Sequence, residues 1–508
     1  MNKFYITTPL YYVNASPHIG HSYTNIAADC LARHMRQNIG KQNVKLLTGT
    51  DEHGQKIQRA AEEANLSPQD FTDKMVVQFK NLWKELNISC DDFIRTTEER
   101  HIAVVRQVLE ILKKKDAIYE DEYKGWYCTP CETFWSDTQI KDDNCPDCKR
   151  PLEKIAEKNF FFKLSDYQDR LIKYINDHPD FIKPASRYEE VISFLELNKL
   201  NDLCISRPKE RLNWGIPLPF SPGHVTYVWF DALINYISAV GSFDEKGKYH
   251  SEWWPADLHL IGKDILRQHA IYWPIMLFAL DLELPKTIFA HGWWMIAETK
   301  MSKSRGNVVS PIEMVRKYGV DVYRYFLLRD VPFGQDGNFS EEAMIKRLNS
   351  DLANDLGNLV YRTLTMIEKY FEGKIPDEDR AAKGGQTQAI GIKIKHLRLR
   401  LNAELIKETI EDENNFSRAL EYIWQLINMA NKYIEDTKPW NLVKEEKEQE
   451  LKEFILVLVD VIKNVEHAIE PFMPDTAKSI RQQLGKEIIK KGKPLFPRID
   501  NSKPNSEP

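Results

Sequence analysis

Two histidines three residues apart are the first side chains in the sequence whose spacing suggests chemistry. They are His18 and His21 in the run Pro-His-Ile-Gly-His, which also contains Gly20. We predict that this run joins a strand to the start of a helix, because an aromatic segment precedes it and an amphipathic segment follows. A helix N-terminus offers N–H groups and partial positive charge to a phosphate, and glycine allows close approach. The pattern indicates a phosphate site; histidines that merely cap a helix are the alternative.

A second cluster of charge lies much later in the chain. Lys300, Lys303 and Arg305 place three cations within six residues of the run Lys-Met-Ser-Lys-Ser-Arg-Gly-Asn, which follows an apolar segment. Flexible cations of this kind can close over a triphosphate and neutralise the charge that develops on a leaving pyrophosphate. The alternative is a solvated basic loop, which is the usual meaning of an arbitrary basic stretch.

Four of the seven cysteines form two C-x-x-C pairs, and turn residues lie inside each pair. Two such pairs, separated by a short loop, are typical of a tetrahedral zinc site; disulfides or a redox pair are the alternatives. Four thiolates would close the site, so we predict one structural Zn²⁺ per chain. Its ligands would be Cys128, Cys131, Cys145 and Cys148. We interpret the other three as core or bystander thiols: Cys30, Cys90 and Cys204.

The elements that must hold these groups alternate between strands and helices. Residues 3–13 and 43–49 are apolar and predict buried strands, whereas residues 20–37 and 51–67 have helical periodicity. We expect Pro68 to terminate the second helix. Strand, helix, strand and helix at this spacing predict a parallel sheet with right-handed crossovers.

This alternation breaks from about residue 113 to residue 224, where the cysteine pairs and an aromatic run occur, and it then resumes. After about residue 341 strand signals vanish and long helical periodicities follow. We therefore predict an α/β fold: a Rossmann-type parallel-sheet domain with an inserted zinc-knuckle domain, followed by an all-α helical bundle.

Composition narrows the functional classes. Of the 508 residues, 42% are hydrophobic, which is enough for sizeable cores, and 29% are charged. A net charge of -5 excludes a basic nucleic-acid coat, so any contact with RNA must come from local patches or from shape. The N-terminal residues have no basic stretch followed by an apolar run, and no apolar stretch is long enough for a bilayer. We expect a cytoplasmic protein without a membrane partner.

The two charged motifs together are far more specific than either alone. His-Ile-Gly-His, paired with Lys-Met-Ser-Lys-Ser across a split sheet, resembles the signature of class I aminoacyl-tRNA synthetases. Within that class the chain resembles the methionyl-tRNA synthetase family, from Phe4 to about Arg498. The resemblance implies activation of methionine with ATP to methionyl-adenylate and pyrophosphate, then transfer of methionine to the 3′-terminal adenosine of tRNA(Met). The related leucine, isoleucine and valine enzymes are the alternative, although the insertion is too short for their editing domain.

The resemblance also implies a methionine pocket. Asp51 follows a predicted strand and matches the carboxylate near the substrate ammonium, although such a residue could equally cap a helix. Arg207 matches an arginine that the family places opposite that carboxylate. Aromatic walls suit the polarizable sulfur of methionine. The residues that match the family's methionine site are Leu10, Tyr12, Asp51, Trp229, Ala232, Leu233, Tyr236, Ile265 and His269.

For ATP, the resemblance implies a carboxylate that holds the ribose and a histidine beside the adenine. The matching residues are Asn14, His18, Gly20, His21, Gly262, Asp264, His291 and Lys303. The methionine carboxylate attacks the α-phosphate of Mg-ATP and is already ionised, so no general base or protein nucleophile is needed. Catalysis then consists of positioning and charge stabilisation. We expect the catalytic groups to be His18, His21, Lys300 and Lys303.

In the helical bundle, three residues match the family's anticodon-reading elements: Asn358, Arg362 and Trp440. Unpaired bases are read by hydrogen bonds to their edges and by stacking, which suits these side chains. The expected partners are tRNA(Met), ATP and L-methionine, with Zn²⁺ and Mg²⁺ as cofactors. The predicted domains are the first catalytic half (1–112), the connective insertion (113–224), the second catalytic half (225–286), a stem-contact region with the lysine-rich loop (287–345), the anticodon-binding domain (346–488) and a C-terminal extension (489–508).

Longer family members carry an appended tRNA-binding barrel that also dimerises them. We find no such segment after Arg498 and expect a monomer. Two alternatives come from other functional classes: a former synthetase that only binds RNA or regulates, and a nucleotidyltransferase with an H-x-x-H site. The co-occurrence of ATP motifs and anticodon motifs argues against the first. An anticodon reader, which a nucleotidyltransferase does not need, argues against the second.

Overall fold

A computed structural model of the protein describes residues 3–128, 133–135, 140, 142–146, 149–226, 228–296, 299–300, 309–377 and 415–499. The chain forms two compact units, one made of residues 1–84 and 88–292 and the other of residues 85–87 and 293–508. Within the described residues, no helix combines the length and apolar character needed to cross a membrane.

The first unit is built around a parallel sheet. Its strands are β1 (Phe4–Tyr12), β2 (Val44–Asp51), β3 (Asp92–Arg95), β4 (Ile118–Cys128), β5 (Thr133–Trp135), β6 (Glu153–Phe162), β7 (Ile182–Lys183), β8 (Leu203–Cys204), β9 (Ser206–Pro208), β10 (Pro217–Leu218), β11 (Ser221–Thr226), β12 (Gly241–Phe243), β13 (Tyr249–Ser251), β14 (Leu258–Gly262) and β15 (Thr287–His291). Its helices are α1 (Ile19–Ile39), α2 (Gln55–Glu63), α3 (Pro68–Glu85), α4 (Glu99–Lys114), α5 (Gln168–Asp177), α6 (Ala185–Leu197), α7 (Val228–Leu233), α8 (Asn235–Ser238) and α9 (Trp273–Ala279).

Six strands pair in the order β3-β2-β1-β14-β15-β7, all of them parallel. Most residues of β1 and β2 are buried on both faces of the sheet, as expected when helices cover it. The parallel sheet is therefore confirmed. Because parallel strands all end at the same edge, the residues that end β1, β2, β14 and β15 share one rim of the sheet.

One predicted boundary is wrong. Pro68 does not terminate the second helix, because α2 already ends at Glu63 and Pro68 is the first residue of α3. Asn65 adopts a left-handed conformation with φ of 55° and turns the chain between the two helices. Proline lacks a backbone N–H, which a first helical turn does not need, so it starts a helix as readily as it stops one.

Between α4 and α7 the chain forms separate antiparallel sheets. The larger has the order β5-β4-β6-β8, and a second is formed by β10, β11 and β9. The aromatic run of the sequence lies in β6, where Phe160 and Phe162 are buried. These sheets come from the part of the sequence in which the strand–helix alternation is interrupted.

The second unit is mainly helical. Its described elements are the strands β16 (Trp294–Ile296), β17 (Thr299–Lys300) and β18 (Gly337–Asn338), and the helices α10 (Pro311–Tyr318), α11 (Val320–Arg329), α12 (Glu341–Arg347), α13 (Asn358–Phe371), α14 (Phe416–Thr437), α15 (Pro439–Lys444), α16 (Glu448–Ile469) and α17 (Pro474–Leu484). A π-helical segment, Leu348–Gly357, joins α12 to α13. The predicted helical bundle is confirmed.

Arg324 of α11 is a buried arginine whose side chain holds separate segments of this unit together. It is fully buried, and its guanidinium donates to the carbonyl oxygens of Phe472 (2.8 Å), Pro471 (2.9 Å) and Leu86 (3.0 Å). Three carbonyl acceptors compensate for the burial of the charge. The interaction ties α11 to the turn before α17.

Candidate active site

The N-terminus of α1 is capped by the two histidines of the first motif. Nδ1 of His18 accepts a hydrogen bond from the N–H of Gly20 (3.1 Å), and the N–H of His18 donates to Nδ1 of His21 (3.1 Å). Their rings stack with centroids 3.9 Å apart. Because both Nδ1 atoms accept, each neutral ring carries its proton on Nε2. Helix capping thus uses the Nδ1 atom of each ring and does not by itself exclude phosphate binding.

Gly20 has a steric reason to be glycine. A Cβ at this position would lie 3.0 Å from Cε1 of His18. A side chain there would press on the capping ring, so the motif needs glycine to let His18 fold back over the helix start.

Asp51 ends β2 directly beside the end of β1. It is 4% exposed and pairs in register with Tyr12. The hydroxyl of Tyr12 donates to the carbonyl of His53 (2.9 Å), and the indole N–H of Trp214 donates to the carbonyl of Glu52. The segment that follows Asp51 is therefore held from two sides by hydrogen bonds to its backbone.

Glu52 anchors the same segment through its side chain. The carboxylate is fully buried and receives two hydrogen bonds from Arg95, both 2.8 Å. It also accepts from the hydroxyls of Thr50 and Thr97, each at 2.6 Å. Four donors satisfy both oxygens of this buried charge, which fixes the backbone next to Asp51.

The apolar wall of the predicted methionine pocket comes from α7, α8 and a π-helical turn, Gln268–Tyr272. Tyr236 is buried, and its hydroxyl lies 2.7 Å from Nε2 of His269. Leu10 and Ile265 pack against the core cluster that contains Leu233 and Tyr236. On α7, Ala232 and Leu233 are buried and Trp229 is half-buried. Four of the sequence-predicted residues thus meet in one core cluster: Leu10, Leu233, Tyr236 and Ile265.

A histidine beneath Tyr236 was not predicted. His259 packs against the Tyr236 ring, with centroids 4.2 Å apart and the ring planes tilted by 31°, and its Nε2 accepts from the indole N–H of Trp273 (3.1 Å). Burial holds the pKa of His259 well below its ordinary value. The ring is therefore neutral, and its Nδ1 donates to the Thr7 hydroxyl at 2.7 Å. An isolated histidine in an apolar strand is the only sequence signal that could have indicated it.

The remaining described residues of the predicted ATP site lie at the ends of two neighbouring strands and in the turn after β1. Gly262 ends β14 in register with His291, which ends β15. Asp264 is exposed just after β14, whereas Asn14 is exposed in the turn that precedes α1. A Cβ at Gly262 would lie 2.7 Å from Oδ1 of Asp264. The close approach of that carboxylate explains the glycine.

His291 connects this rim to α1. Burial lowers its pKa, whereas a hydrogen bond to Gly292 and the nearby Asp264 carboxylate act in the opposite direction. In the neutral ring Nδ1 donates to the carbonyl of Gly292 (2.8 Å), so Nε2 accepts from the hydroxyl of Thr24 (2.7 Å). The His291 ring is thus fixed against the helix whose N-terminus carries His18.

The second motif, which contains Lys300 and Lys303, lies largely outside the described residues. The backbone of Lys300 ends β17, while its side chain and all of Lys303 lie outside the described residues.

Arg207, which was predicted to lie opposite Asp51, is described and buried. Its Nη1 lies 2.8 Å from Oε2 of Glu157, and its guanidinium covers the ring of Tyr127 at 3.9 Å.

Cys128 and Cys145 of the predicted zinc site are buried in one small cluster with Leu152. Cys145 opens a tight turn, in which the N–H of Lys149 donates to its carbonyl (2.9 Å). Two thiols that share one cluster, each from a different C-x-x-C pair, fit a four-thiolate site. Cys131 and Cys148 lie outside the described residues, so the zinc stays a prediction.

In the second unit, Asn358 begins α13 and Arg362 follows one turn later, both half-buried. Trp440 lies on α15 and is 45% exposed. A single exposed aromatic side chain is ordinary on a protein surface, so base stacking by Trp440 stays a prediction. Both helices pack against α16.

Comparison with known proteins identifies the family. A family profile described as tRNA synthetases class I (M) matches residues 4–364. A second profile, the anticodon binding domain of methionyl tRNA ligase, matches residues 382–494. The chain belongs to the methionyl-tRNA ligase family. This membership confirms the resemblance inferred from the sequence, together with the activity, which is ligation of methionine to tRNA through methionyl-adenylate.

Individual relatives agree along nearly the whole chain. The methionine–tRNA ligase of Clostridium acetobutylicum is 48% identical over 520 residues, which cover 99% of this chain and 79% of the relative. That of Caldanaerobacter subterraneus is 49% identical over 519 residues, with 98% and 79% covered. A structure of Mycobacterium tuberculosis methionyl-tRNA synthetase in complex with methionyl-adenylate has a TM-score of 0.90 and 38% identity, and covers 98% of this chain and 100% of that one. The predicted fold class is thereby confirmed, its zinc knuckle aside.

Two further residues, His53 and Asp231, lie close in sequence to residues of the predicted methionine site, although neither was predicted to have a role. They form a buried pair with 2.8 Å between Nδ1 and Oδ2. The available signal was Asp231 itself, because an aspartate within an otherwise apolar helix is costly unless a partner compensates for it.

Proposed function

We propose that methionine and ATP react at the rim formed by the ends of β1, β2, β14 and β15. This proposal rests on one observation: residues from distant parts of the sequence meet at the same edge of the sheet. Residues of the predicted methionine and ATP sites, separated by more than half of the chain, end neighbouring strands or start the first helix. In parallel sheets, ligands bind at this edge.

In the methionine site, the Asp51 carboxylate binds the ammonium group of the substrate. The methionine side chain packs against a wall made by Leu10, Tyr12, Trp229 and Tyr236. Ala232, Leu233, Ile265 and His269 complete that wall. Support comes from the burial of Asp51 beside Tyr12 and from the hydrogen bond between Tyr236 and His269. A buried aromatic wall suits a thioether, and the carboxylate gives the amino acid its orientation.

In the ATP site, the Asp264 carboxylate accepts a hydrogen bond from a ribose hydroxyl, and His291 lies beside the adenine. The nucleotide is also lined by Asn14, Gly20 and Gly262. The phosphates face the N-terminus of α1, where backbone N–H groups and the Nε2 protons of His18 and His21 offer positive charge. Lys300 and Lys303 are assigned to the same phosphates from their motif. Mg²⁺ arrives with ATP as part of the substrate.

The first step is in-line attack of the methionine carboxylate on the α-phosphate, which releases pyrophosphate. The residues of this chain hold the two reactants in line and stabilise the charge that moves to the leaving group. In the second step the 2′-hydroxyl of the terminal tRNA adenosine attacks the adenylate and releases AMP.

The remaining assignments are structural or concern tRNA. Zn²⁺ held by Cys128, Cys131, Cys145 and Cys148 would stabilise the insertion without chemistry of its own, because four thiolates leave no open position. Asn358, Arg362 and Trp440 would read the anticodon of tRNA(Met). The domain limits given above, the monomer and the cytoplasmic location stay predictions.

ATP–pyrophosphate exchange with each of the twenty amino acids tests the pocket. We expect exchange to depend on methionine and to be weak with leucine and isoleucine. One methylene in an apolar pocket discriminates by only about 1–3 kcal/mol, so close analogues such as homocysteine should retain some activity. Equal exchange with leucine would contradict the assigned pocket.

A further inference from the structure

A buried ionisable pair, His53 and Asp231, has no part in the steps above. Nδ1 of His53 lies 2.8 Å from Oδ2 of Asp231. His53 is 4% exposed, and Asp231 is completely buried. The ring of Trp214 packs edge-on against His53 with centroids 5.5 Å apart, so the pair is enclosed on that side as well.

The pair joins two walls of the proposed methionine pocket. His53 lies two residues after Asp51, whose carboxylate faces the ammonium group. Asp231 lies on α7, between Trp229 and the neighbouring Ala232. The two partners are 178 residues apart in the sequence. Their hydrogen bond therefore connects the polar end of the pocket directly to its apolar end.

Stability alone is a poor explanation for this arrangement. Burial raises the pKa of Asp231, and the hydrogen bond from His53 acts against that rise. Replacing buried ionic pairs with packed apolar side chains is often neutral or stabilising, so such pairs contribute little to folding. They do impose a fixed geometry, because each partner is strongly disfavoured without the other.

We propose that His53 and Asp231 are a positioning pair, which sets the distance between Asp51 and α7 and thereby the affinity for methionine. The inference rests on the proposed function, since it takes Asp51 and α7 as the two ends of the pocket. His53 and Asp231 act through these neighbours, and neither takes part in the chemistry.

Two substitutions of His53 separate positioning from a general structural role. In His53→Asn the side-chain amide nitrogen occupies nearly the place of Nδ1 and can still donate to Asp231. In His53→Gln the amide lies one bond farther out and cannot. We expect His53→Gln to raise the KM for methionine in pyrophosphate exchange about tenfold, with a much smaller change in the KM for ATP. His53→Asn should recover most of the loss.

Asp231→Ala should reproduce the effect of His53→Gln. In the double variant the two effects should not add, because both remove the same contact. The matched control is Asp29→Ala, which removes another fully buried carboxylate, one in α1 that accepts from Arg33 of the same helix and from Ser89 outside it. Its loss should lower the unfolding temperature without a selective rise in the KM for methionine. A rise equal to that of Asp231→Ala would overturn the proposal, as would equal effects of Asn and Gln at position 53.

Asp51→Asn distinguishes failure of the pair from failure of the pocket. If Asp51→Asn raises the KM for methionine while His53→Gln does not, the positioning pair is wrong and the pocket stands. If Asp51→Asn has no effect on that KM, the pocket itself is wrong, and the inference falls with it.

Discussion

Tyr236 and His269 are joined by a 2.7 Å hydrogen bond between Oη and Nε2 in the interior of the first unit. Nδ1 of His269 donates to the carbonyl of Ile265 (2.9 Å), so Nε2 has to accept from the tyrosine. Burial lowers the pKa of His269 to about 4, which keeps the ring neutral. The pair presents a fixed, uncharged surface to the proposed methionine side chain.

Tyr236→Phe should therefore weaken methionine binding while the ring keeps its packing. A buried acceptor left without its donor costs about 1–3 kcal/mol, so we expect the KM for methionine to rise roughly tenfold or more. The measurement is pyrophosphate exchange at varied methionine. Tyr249→Phe is the control, because it also removes a hydroxyl that donates a hydrogen bond, in this case to the backbone carbonyl of Ile237 (2.8 Å). Similar KM values for the two variants would remove Tyr236 from the pocket.

Gly262→Ala should affect ATP selectively. The new Cβ would lie 2.7 Å from Oδ1 of Asp264, and the carboxylate can rotate away without disturbing the strand. We expect a folded enzyme whose KM for ATP rises about tenfold, because the proposed ribose acceptor has moved. At Gly223 an added Cβ would meet no atom within 4 Å, so Gly223→Ala is the control. An unchanged KM for ATP in Gly262→Ala would argue against the role of Asp264.

Acid should destabilise the protein through its buried histidines. Burial lowers the pKa of His101 to about 3 and that of His269 to about 4, from ordinary values of 6.5. At a pH between the lowered pKa of each histidine and its ordinary pKa of 6.5, the unfolded chain binds a proton that the folded chain does not. Stability is therefore complete above about pH 6.5 and falls as the pH drops toward 4.

His101→Asn should reduce this acid sensitivity, since each such histidine contributes roughly 1.4 kcal/mol per pH unit. The check is the unfolding temperature as a function of pH, with the exposed His178→Asn as a control. Equal slopes for the wild type and His101→Asn would show that His101 does not titrate as its burial implies.

The cysteine pairs predict about one zinc per chain in the purified protein. Elemental analysis measures it directly. Cys145→Ser should lose the metal and lower the unfolding temperature, whereas Cys90→Ser, outside both pairs, should keep the metal. A disulfide at Cys128 in zinc-free protein would contradict the four-thiolate site.

Trp440→Ala should separate the two halves of the reaction. Loss of one base-stacking partner costs about 1–3 kcal/mol, so aminoacylation should fall while pyrophosphate exchange stays nearly intact. Val443→Ala on the same helix is a matched control with a similar exposed fraction, 42% against 45%. Equal loss of both activities in a folded Trp440→Ala would show that the bundle is not a separate anticodon reader.

His21→Ala and Lys303→Ala should have the opposite effect. Both remove charge stabilisation from the first step, so exchange itself should fall by about 10²–10³. The same exchange assay, run beside Trp440→Ala, measures the contrast. Intact exchange in either variant would remove that residue from the catalytic set.

The sequence alone determined the parts that depend on local chemistry and periodicity. Alternating apolar strands and amphipathic helices predicted the parallel sheet, because each element has to bury its own apolar side chains. The histidine and lysine motifs predicted a phosphate site, since spacing within a few residues decides which side chains can face one ligand. The Pro68 boundary failed because proline fits both the end of one helix and the start of another.

Only the tertiary structure decided which distant side chains meet. Thr24 and His291, 267 residues apart, and His53 and Asp231, 178 residues apart, are brought together by strand order and by the docking of helices on the sheet. Such pairs leave little trace in the local pattern, because the burial that makes them necessary comes from other parts of the chain. The sequence therefore indicated what the site binds, and packing determined how its walls are held in place.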